Sequence, residues 1–215
     1  PTIAGGINPR LYPAETLRHP AIDYCVLHFA TRGLPALLSA LEEGRDPAGL
    51  PEVVAPGPDG RPVIGPVDGS FNPYAELPFP ARHLVDNADY HSFISQRRNF
   101  TVAVTATGCQ FKCNFCAIAP LPQYRNPVDR VLAEVRDCVT RYGIHEIDFF
   151  DADFFAARRR ALEICRGIQA MKADLEWSCR TRVDVLNDEV LDTAKAAGCR
   201  PSGLTRGRRA ATSRT

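Results

Sequence analysis

The chain has 215 residues, 45% of them hydrophobic, which is enough for one large domain or two small ones. Its formal net charge of +1 gives no basic field that would attract nucleic acid, so nucleic acid is not predicted as a partner. No apolar run reaches the length of a membrane span, and no basic-then-apolar signal segment opens the sequence. We therefore expect a cytoplasmic protein without a membrane span.

Eight cysteines are present, and their spacing is uneven. Three fall within eight residues, and this clustering favours metal binding in a reducing compartment over a disulfide framework. The others are predicted to be small buried hydrophobic residues. These five are Cys25, Cys138, Cys165, Cys179 and Cys199.

The first half of the chain predicts a small α/β unit followed by a connector. Residues 1–46 contain a short apolar strand at 21–27 and leucines at 34, 37, 38 and 41, the spacing of one helix face. Residues 47–80 then hold nine prolines, a composition that sustains neither a helix nor a central strand. We expect residues 47–99 to form an extended connector between two domains.

Residues 100–198 show regular alternation of strands and helices. Strands are predicted at 100–107, 144–150 and 177–182, and the helices between them begin at Pro127 and Phe155. Asn187 is placed to cap a third helix that ends at Gly198. Three consecutive βα units predict a parallel sheet with right-handed crossovers, as in part of a β/α barrel.

The clustered cysteines directly follow the first of these strands. Cys109, Cys113 and Cys116 have the spacing Cys-x3-Cys-x2-Cys, which lets one loop present three thiolates to an iron–sulfur cluster and leaves one iron open. The position fits as well, because β/α barrels carry their chemistry at the carboxyl ends of strands. The alternatives are three unrelated cysteines or structural zinc, which requires a fourth ligand that no nearby Cys or His supplies.

This spacing, with Phe115 before the third cysteine, resembles the radical S-adenosylmethionine superfamily. Segments 148–154 and 177–184 look like strands of its cobalamin-dependent branch, and residues 1–90 look like the end of that branch's cobalamin-binding domain. The resemblance covers residues 3–198. It implies an α/β fold: a partial radical-SAM β/α (TIM-like) barrel after the C-terminal part of a Rossmann-like domain, truncated at both ends.

The resemblance also implies a mechanism. The three cysteines hold a 4Fe-4S cluster, and S-adenosylmethionine chelates the fourth iron through its methionine amino and carboxylate groups. Reductive cleavage gives a 5′-deoxyadenosyl radical, used for methyl transfer, rearrangement or cyclisation of a small-molecule substrate. An electron donor such as flavodoxin or ferredoxin is implied, and no catalytic residue is assigned.

Further cofactor contacts follow from the same resemblance. The backbone around Phe115 contacts adenine, and Asp151 or Asp153 binds the methionine ammonium, although Asp153 also suits a helix N-cap. Arg182, or Arg180, pairs with the methionine carboxylate, a surface ion pair being the alternative. The resemblance also implies that Gly5 and Gly6 contact the buried tail of cobalamin.

Two departures limit what the resemblance implies. The Asp-x-His-x-x-Gly loop that ligates cobalt is absent from the sequence, so we expect no tight cobalamin binding by these 215 residues. Residues 199–215 carry five arginines and no acid; they are predicted to come from a frameshift or junction, or to be an arm for an acidic partner. We expect this tail to be irregular and to leave the third strand as an unpaired edge prone to association.

Two other functional interpretations stay open. The chain could be a non-catalytic iron–sulfur or zinc module, or an inactive gene fragment that retains the motif. Formation of deoxyadenosine from S-adenosylmethionine by reduced protein distinguishes the enzyme from both.

Overall fold

The computed structural model describes residues 1–91, 95–119 and 121–200, together with the backbone of residues 204–205. The chain divides into two compact units, the first formed by residues 1–73 and the second by the residues from 74 onward. Among the described residues, no helix is both long and apolar enough to cross a membrane.

The first unit is a four-stranded mixed sheet with three helices. Strands β1 (Ile3–Ala4) and β2 (Tyr24–Val26) are parallel, whereas β3 (Val53–Pro56) and β4 (Pro62–Ile64) continue the sheet antiparallel in the order β1-β2-β3-β4. The helices are α1 (Ile7–Leu11), α2 (Pro13–Leu17) and α3 (Gly33–Glu42). The leucine-rich helix and the strand before it are confirmed.

Strands β3 and β4 correct the predicted connector. Val53 and Val54 are fully buried in a central strand, so the expectation of no central strand within residues 47–80 is wrong. Sequence reasoning failed because the prolines lie where the ladder needs no N–H donor: Pro56 ends β3 and pairs with Pro62, which begins the edge strand β4.

A buried polar pair lies in the first unit on strained backbone. The Nδ1 atom of His28 is 3.7 Å from the Glu52 carboxylate, and both residues have positive φ, 59° and 61°, a conformation that costs a non-glycine residue free energy. Burial lowers the pKa of His28, and the charge of Arg10 lowers it further, while Glu52 and Asp68 oppose the shift. The folded state therefore disfavours the protonated form of His28 relative to the unfolded chain.

This neutral histidine predicts a pH-dependent stability. As the pH falls through the ordinary histidine pKa of about 6.5, the unfolded chain binds a proton at this residue more readily than the folded chain does, so stability is lost. We expect His28→Asn, which tolerates the left-handed backbone, to reduce the loss between about pH 7.5 and pH 5.5 by at most about 1 kcal/mol. Urea unfolding of both proteins at the two pH values measures the difference, and identical losses would contradict it.

The second unit alternates strands and helices. Its elements are β5 (Phe100–Ala103), β6 (Ala106–Thr107), β7 (Tyr124–Arg125), α4 (Val128–Tyr142), β8 (Glu146–Phe149), α5 (Arg158–Ala170), β9 (Glu176–Cys179), β10 (Thr181–Arg182), α6 (Asp188–Ala196) and β11 (Leu204–Thr205). Strands β5, β8 and β9 form a parallel sheet in that order. The three βα units are confirmed, and the sheet formed by the described residues is open rather than a closed barrel.

One face of this sheet packs on the helices. Trp177, fully buried, contacts the rings of Phe149 and Phe154 at centroid distances of 5.5 and 5.4 Å. Its Nε1 donates to the carbonyl of Ala197 at 2.8 Å, which ties the end of α6 to the strand. Asn187 caps α6 as predicted, because its side chain accepts from the backbone N–H of Val190 at 3.0 Å.

The segment after α6 corrects the prediction for the tail. Gly198, with φ of 87°, turns the chain back so that Arg200 donates its backbone N–H to Trp177 at 2.8 Å. Strand β11 then pairs in parallel with β10. The expectation that the tail lies outside the sheet is therefore wrong for residues 199, 200, 204 and 205. Because these residues pair with the third predicted strand, that part of its edge is not free, and the predicted self-association no longer follows from it.

The physical reason is that ladder pairing uses backbone groups. A free strand edge offers N–H and C=O groups to whatever chain follows, and no apolar run is needed for that pairing. The rest of the predicted tail, 201–203 and 206–215, lies outside the described residues.

Candidate functional site

The three clustered cysteines lie on a loop closed at its base by a short antiparallel pair. Strands β6 and β7 join the two ends, with Thr107 opposite Tyr124. We call the residues between them, 108–119 and 121–123, the cysteine loop. Successive turns shape it, since the backbone N–H of Cys116 donates to Cys113 at 3.1 Å and that of Ala119 donates to Cys116 at 3.1 Å. The loop thus presents its cysteines from closely spaced turns.

A buried network anchors the base of the cysteine loop. Asp151, 2% exposed, accepts the backbone N–H of Thr105 at 2.7 Å and its hydroxyl at 2.5 Å. Arg160 donates to the carbonyls of Thr105 and Asn126 at 2.9 and 2.5 Å. Burial raises the pKa of Asp151, although the Thr105 hydrogen bonds oppose the rise, and burial lowers the pKa of Arg160. Both Asp151 oxygens therefore bond to the protein itself.

Asp153 has one carboxylate oxygen free of such bonds. Its Oδ1 accepts from the hydroxyl of Thr181 at 2.7 Å, whereas its buried Oδ2 accepts no hydrogen bond of normal geometry from the described residues. Burial raises the pKa of Asp153; the Thr181 hydroxyl lowers it, as do the nearby backbone N–H groups of Arg182 and Ala156. The residue precedes the 3-10 helix Phe154–Ala157, but its side chain makes no cap hydrogen bond there.

Arg182 joins the end of β10 to the cysteine loop. Its Nη1 donates to the Sγ of Cys113 at 3.4 Å, and its guanidinium lies 4.3 Å from the ring centroid of Phe111. Its remaining nitrogens bind Asp184 at 2.9 and 2.5 Å, which is the main cause of a raised pKa for Arg182. The structure thus brings a predicted arginine against a predicted cysteine.

A second arginine–carboxylate pair joins β8 to the residue that follows β9. Arg180 forms a two-pronged bond to the buried Asp148, at 3.1 and 2.9 Å, and its guanidinium lies 3.9 Å from the Phe150 ring centroid. Ser178 also donates to Asp148 at 3.2 Å. The sequence analysis missed Asp148 as the partner of Arg180. Alternation along the two strands could have found it, since Asp148 and Ser178 are register partners.

The three loop cysteines are the residue type that binds an iron–sulfur cluster, but their side chains are not arranged around a metal site. Within the described residues, no three His, Cys, Asp or Glu side chains are arranged to hold a metal ion. All three loop thiols are free, and burial raises the pKa of Cys109, with smaller contributions in the same direction from Cys113 and Cys116. Three adjacent thiols without a fourth protein ligand match the donor set of a cluster with one open iron.

Phe115 and the glycine pair are placed differently. The Phe115 side chain is 70% exposed on the cysteine loop, open to a ligand that packs there. Gly5 and Gly6 lie in the first unit, between β1 and α1, and Gly6 has φ of 101° with open space where a Cβ would stand. That space is compatible with a closely approaching ligand.

The sequence was compared with protein-family models and with curated proteins. No protein-family model matches the chain. Over 208 residues it is 30% identical to an uncharacterized methyltransferase of Pyrococcus horikoshii, a match that covers 92% of this chain and 43% of that protein. The chain thus spans less than half the length of this curated relative.

Solved structures show the same fold. The radical S-adenosylmethionine methyltransferase TsrM from Kitasatospora setae, with cobalamin and a 4Fe-4S cluster bound, matches with a TM-score of 0.70 at 21% identity, over 96% of this chain and 41% of TsrM. The cobalamin-dependent S-adenosylmethionine radical enzyme OxsB, with aqua-cobalamin and S-adenosylmethionine bound, matches with a TM-score of 0.70 at 15% identity, over 92% of this chain and 30% of OxsB. The mixed α/β fold with its parallel sheet is therefore shared with these enzymes.

Proposed function

We propose that the cysteine loop holds a 4Fe-4S cluster through Cys109, Cys113 and Cys116, and that the chain is part of a radical S-adenosylmethionine enzyme. The observation that carries this proposal is a loop with three free thiols and a cationic side chain against one of them. Arg182 donates from Nη1 to the Sγ of Cys113 at 3.4 Å. A bound cluster would supply the electron that cleaves the sulfonium of S-adenosylmethionine.

Asp153 and Arg182 suit the charged ends of a methionine group. The buried Oδ2 of Asp153 can accept a charge-assisted hydrogen bond from an ammonium. Arg182 binds Asp184 through two nitrogens, so a ligand carboxylate would take the place of that acid on the guanidinium fork. Because Asp151 is occupied by Thr105, Asp153 is the better of the two acids for this role.

The reaction we propose is methyl transfer to a small-molecule substrate, in a protein longer than these residues. The support is the likeness to an uncharacterized methyltransferase, to the methyltransferase TsrM with cobalamin and a 4Fe-4S cluster bound, and to the radical enzyme OxsB with aqua-cobalamin and S-adenosylmethionine bound. Phe115 is proposed to lie against adenine, and Gly5 and Gly6 against cobalamin in the longer protein. An electron donor such as flavodoxin or ferredoxin, and a cytoplasmic location, belong to the same proposal.

Anaerobic reconstitution with iron and sulfide tests the cluster. We expect a brown, oxygen-sensitive protein with about four irons per chain, and Cys113→Ala should abolish iron uptake because it removes one of three ligands. Cys138→Ala is the matched control, since Cys138 is fully buried in α4 and should leave iron content unchanged. Iron and sulfide analysis with absorption spectra gives the measurement.

Two outcomes would overturn the proposal. A colourless protein with one zinc per chain would favour the structural alternative, and equal iron in the Cys113 and Cys138 variants would exclude the cysteine loop. Deoxyadenosine formed from S-adenosylmethionine by dithionite-reduced protein is the further test of cleavage. If the cluster is intact but no deoxyadenosine forms, the cleavage half of the proposal is wrong and the protein is a non-catalytic iron–sulfur module.

A further inference from the structure

A second group of cysteines lies on the helix-facing side of the sheet, apart from the cysteine loop. Cys165 on α5, Cys179 at the end of β9 and Cys199 after α6 belong to the same hydrophobic core. Cys165 is fully buried and Cys179 is 7% exposed, whereas Cys199 is only partly buried. These residues were predicted to be small buried hydrophobic residues, and the structure places them in or against one core.

Cys179 and Cys199 are neighbours across two adjacent backbone segments and line the same cavity. Cys199 forms a parallel bridge with Trp177, two residues before Cys179, so the two cysteines lie on the same face of adjacent backbone segments. The Cys199 thiol donates to the Arg200 carbonyl at 3.6 Å, which leaves its sulfur as the acceptor for the Cys179 thiol that hydrogen bonds with it.

A cavity gives small molecules access to this pair. Its volume is about 440 Å³, and both thiols line it beside Thr181, Leu186 and Ala194. The walls are mostly apolar, with Lys195 and Arg200 also lining the cavity, and the volume is ample for a small uncharged oxidant. The cavity thus connects a buried thiol pair to solvent through its more exposed member, Cys199.

We propose that Cys199 and Cys179 form a redox-active pair that closes to a disulfide when a hydroperoxide enters this cavity. Cys199 reacts first, because it is the more accessible thiol; the hydrogen bond that the Cys179 thiol donates to Cys199, together with burial, raises the pKa of Cys179 and keeps it protonated.

The atoms and electrons balance with hydrogen peroxide as the two-electron oxidant. The sulfur of Cys199, after losing its proton, attacks a peroxide oxygen; the O–O bond breaks, hydroxide leaves with that proton as water, and a sulfenic acid forms. The sulfur of Cys179 then attacks the sulfenic sulfur, the S–O bond breaks, and the Cys179 proton leaves with the hydroxyl as a second water. Two thiols and one peroxide become one disulfide and two waters.

The disulfide would affect the candidate site by moving the backbone. Cys179 directly precedes Arg180 and Thr181, whose side chains bind Asp148 and Asp153. Since Cys199 pairs beside Trp177 rather than beside Cys179, closure draws the segment after Gly198 toward the end of β9. Oxidation would therefore move the backbone that positions those two acids.

Peptide mapping of the full chain tests the pair. Reduced protein is treated with stoichiometric hydrogen peroxide, blocked with N-ethylmaleimide and digested with trypsin. Cleavage places Cys179 on peptide 173–180 and Cys199 on peptide 196–206, since trypsin does not cut between Arg200 and Pro201; the loop cysteines fall on 99–112 and 113–125. We expect the 173–180 and 196–206 peptides to be linked in most molecules and to be released by dithiothreitol.

Variants assign the partners. Cys199→Ser should abolish the linked peptide, whereas Cys165→Ser should retain it, because Cys165 is fully buried on the neighbouring helix. The proposal is overturned if peptide 196–206 carries sulfinic acid without a linked partner, if it is found joined to the Cys165 peptide, or if both thiols stay fully alkylated. The wild-type map decides this even where a variant does not fold.

Discussion

Replacing Glu134 with alanine should lower the free energy of unfolding by about 3–5 kcal/mol, because it leaves a buried arginine without its carboxylate. Arg82 and Glu134, 5% and 7% exposed, are joined at 2.7 Å. Arg82 also donates to the Val102 carbonyl at 3.1 Å and to the Thr101 hydroxyl at 3.2 Å. The pair thus fixes the segment before β5 to both β5 and α4.

The double replacement Arg82→Met with Glu134→Leu should recover most of that loss. Removing both charges leaves no uncompensated ion, and replacing a buried pair by apolar side chains of similar volume is often neutral. Urea unfolding followed by the fluorescence of Trp177, the one tryptophan in the sequence, reports on this unit. Glu189→Ala, which breaks an exposed pair with Arg166 at 3.4 Å, is the control and should cost at most about 1 kcal/mol. A loss as small for Glu134→Ala as for this control would contradict the prediction.

Glu134 illustrates what the sequence could not indicate. The apolar periodicity of α4 and its end at Gly143 could be predicted, because helix faces and left-handed glycine caps are local properties. Glu134 is buried among those apolar positions, however, and its partner is 52 residues upstream in a proline-rich segment. Pairing over that distance depends on tertiary packing, which no local pattern contains.

The candidate site likewise has features that the sequence could predict and features that it could not. Cys109, Cys113 and Cys116 could be found from spacing alone, since one loop carries all three. The bond between Asp151 and Thr105 was not predictable, because it joins residues that follow two different strands, and it required the parallel register of β5 and β8. The same holds for the central strand β3, where the prolines concealed the buried valines at 53 and 54.

Gly108→Ala should destabilise the second unit by about 2–4 kcal/mol, because it combines backbone strain with overlap at the base of the cysteine loop. Gly108 has φ of 72°, in the left-handed region, and an added Cβ would stand 2.4 Å from the Pro122 carbonyl oxygen and 3.0 Å from the Cα of Gln123. Both neighbours are backbone atoms directly before β7, so no side-chain rotation relieves the contact. The loop must shift, and its thiols must shift with it.

Gly143→Ala separates backbone strain from steric overlap. Gly143 has φ of 59°, but the nearest atom to an added Cβ is the Asn99 side-chain nitrogen at 3.8 Å, so only the strain of about 1 kcal/mol applies. Urea unfolding monitored by Trp177 fluorescence should therefore give a larger loss for Gly108→Ala than for Gly143→Ala. Iron uptake on reconstitution should fall in the first variant and stay at the wild-type value in the second. Equal losses of stability in the two variants would show that the backbone of residues 122–123 yields freely and does not fix the cysteine loop.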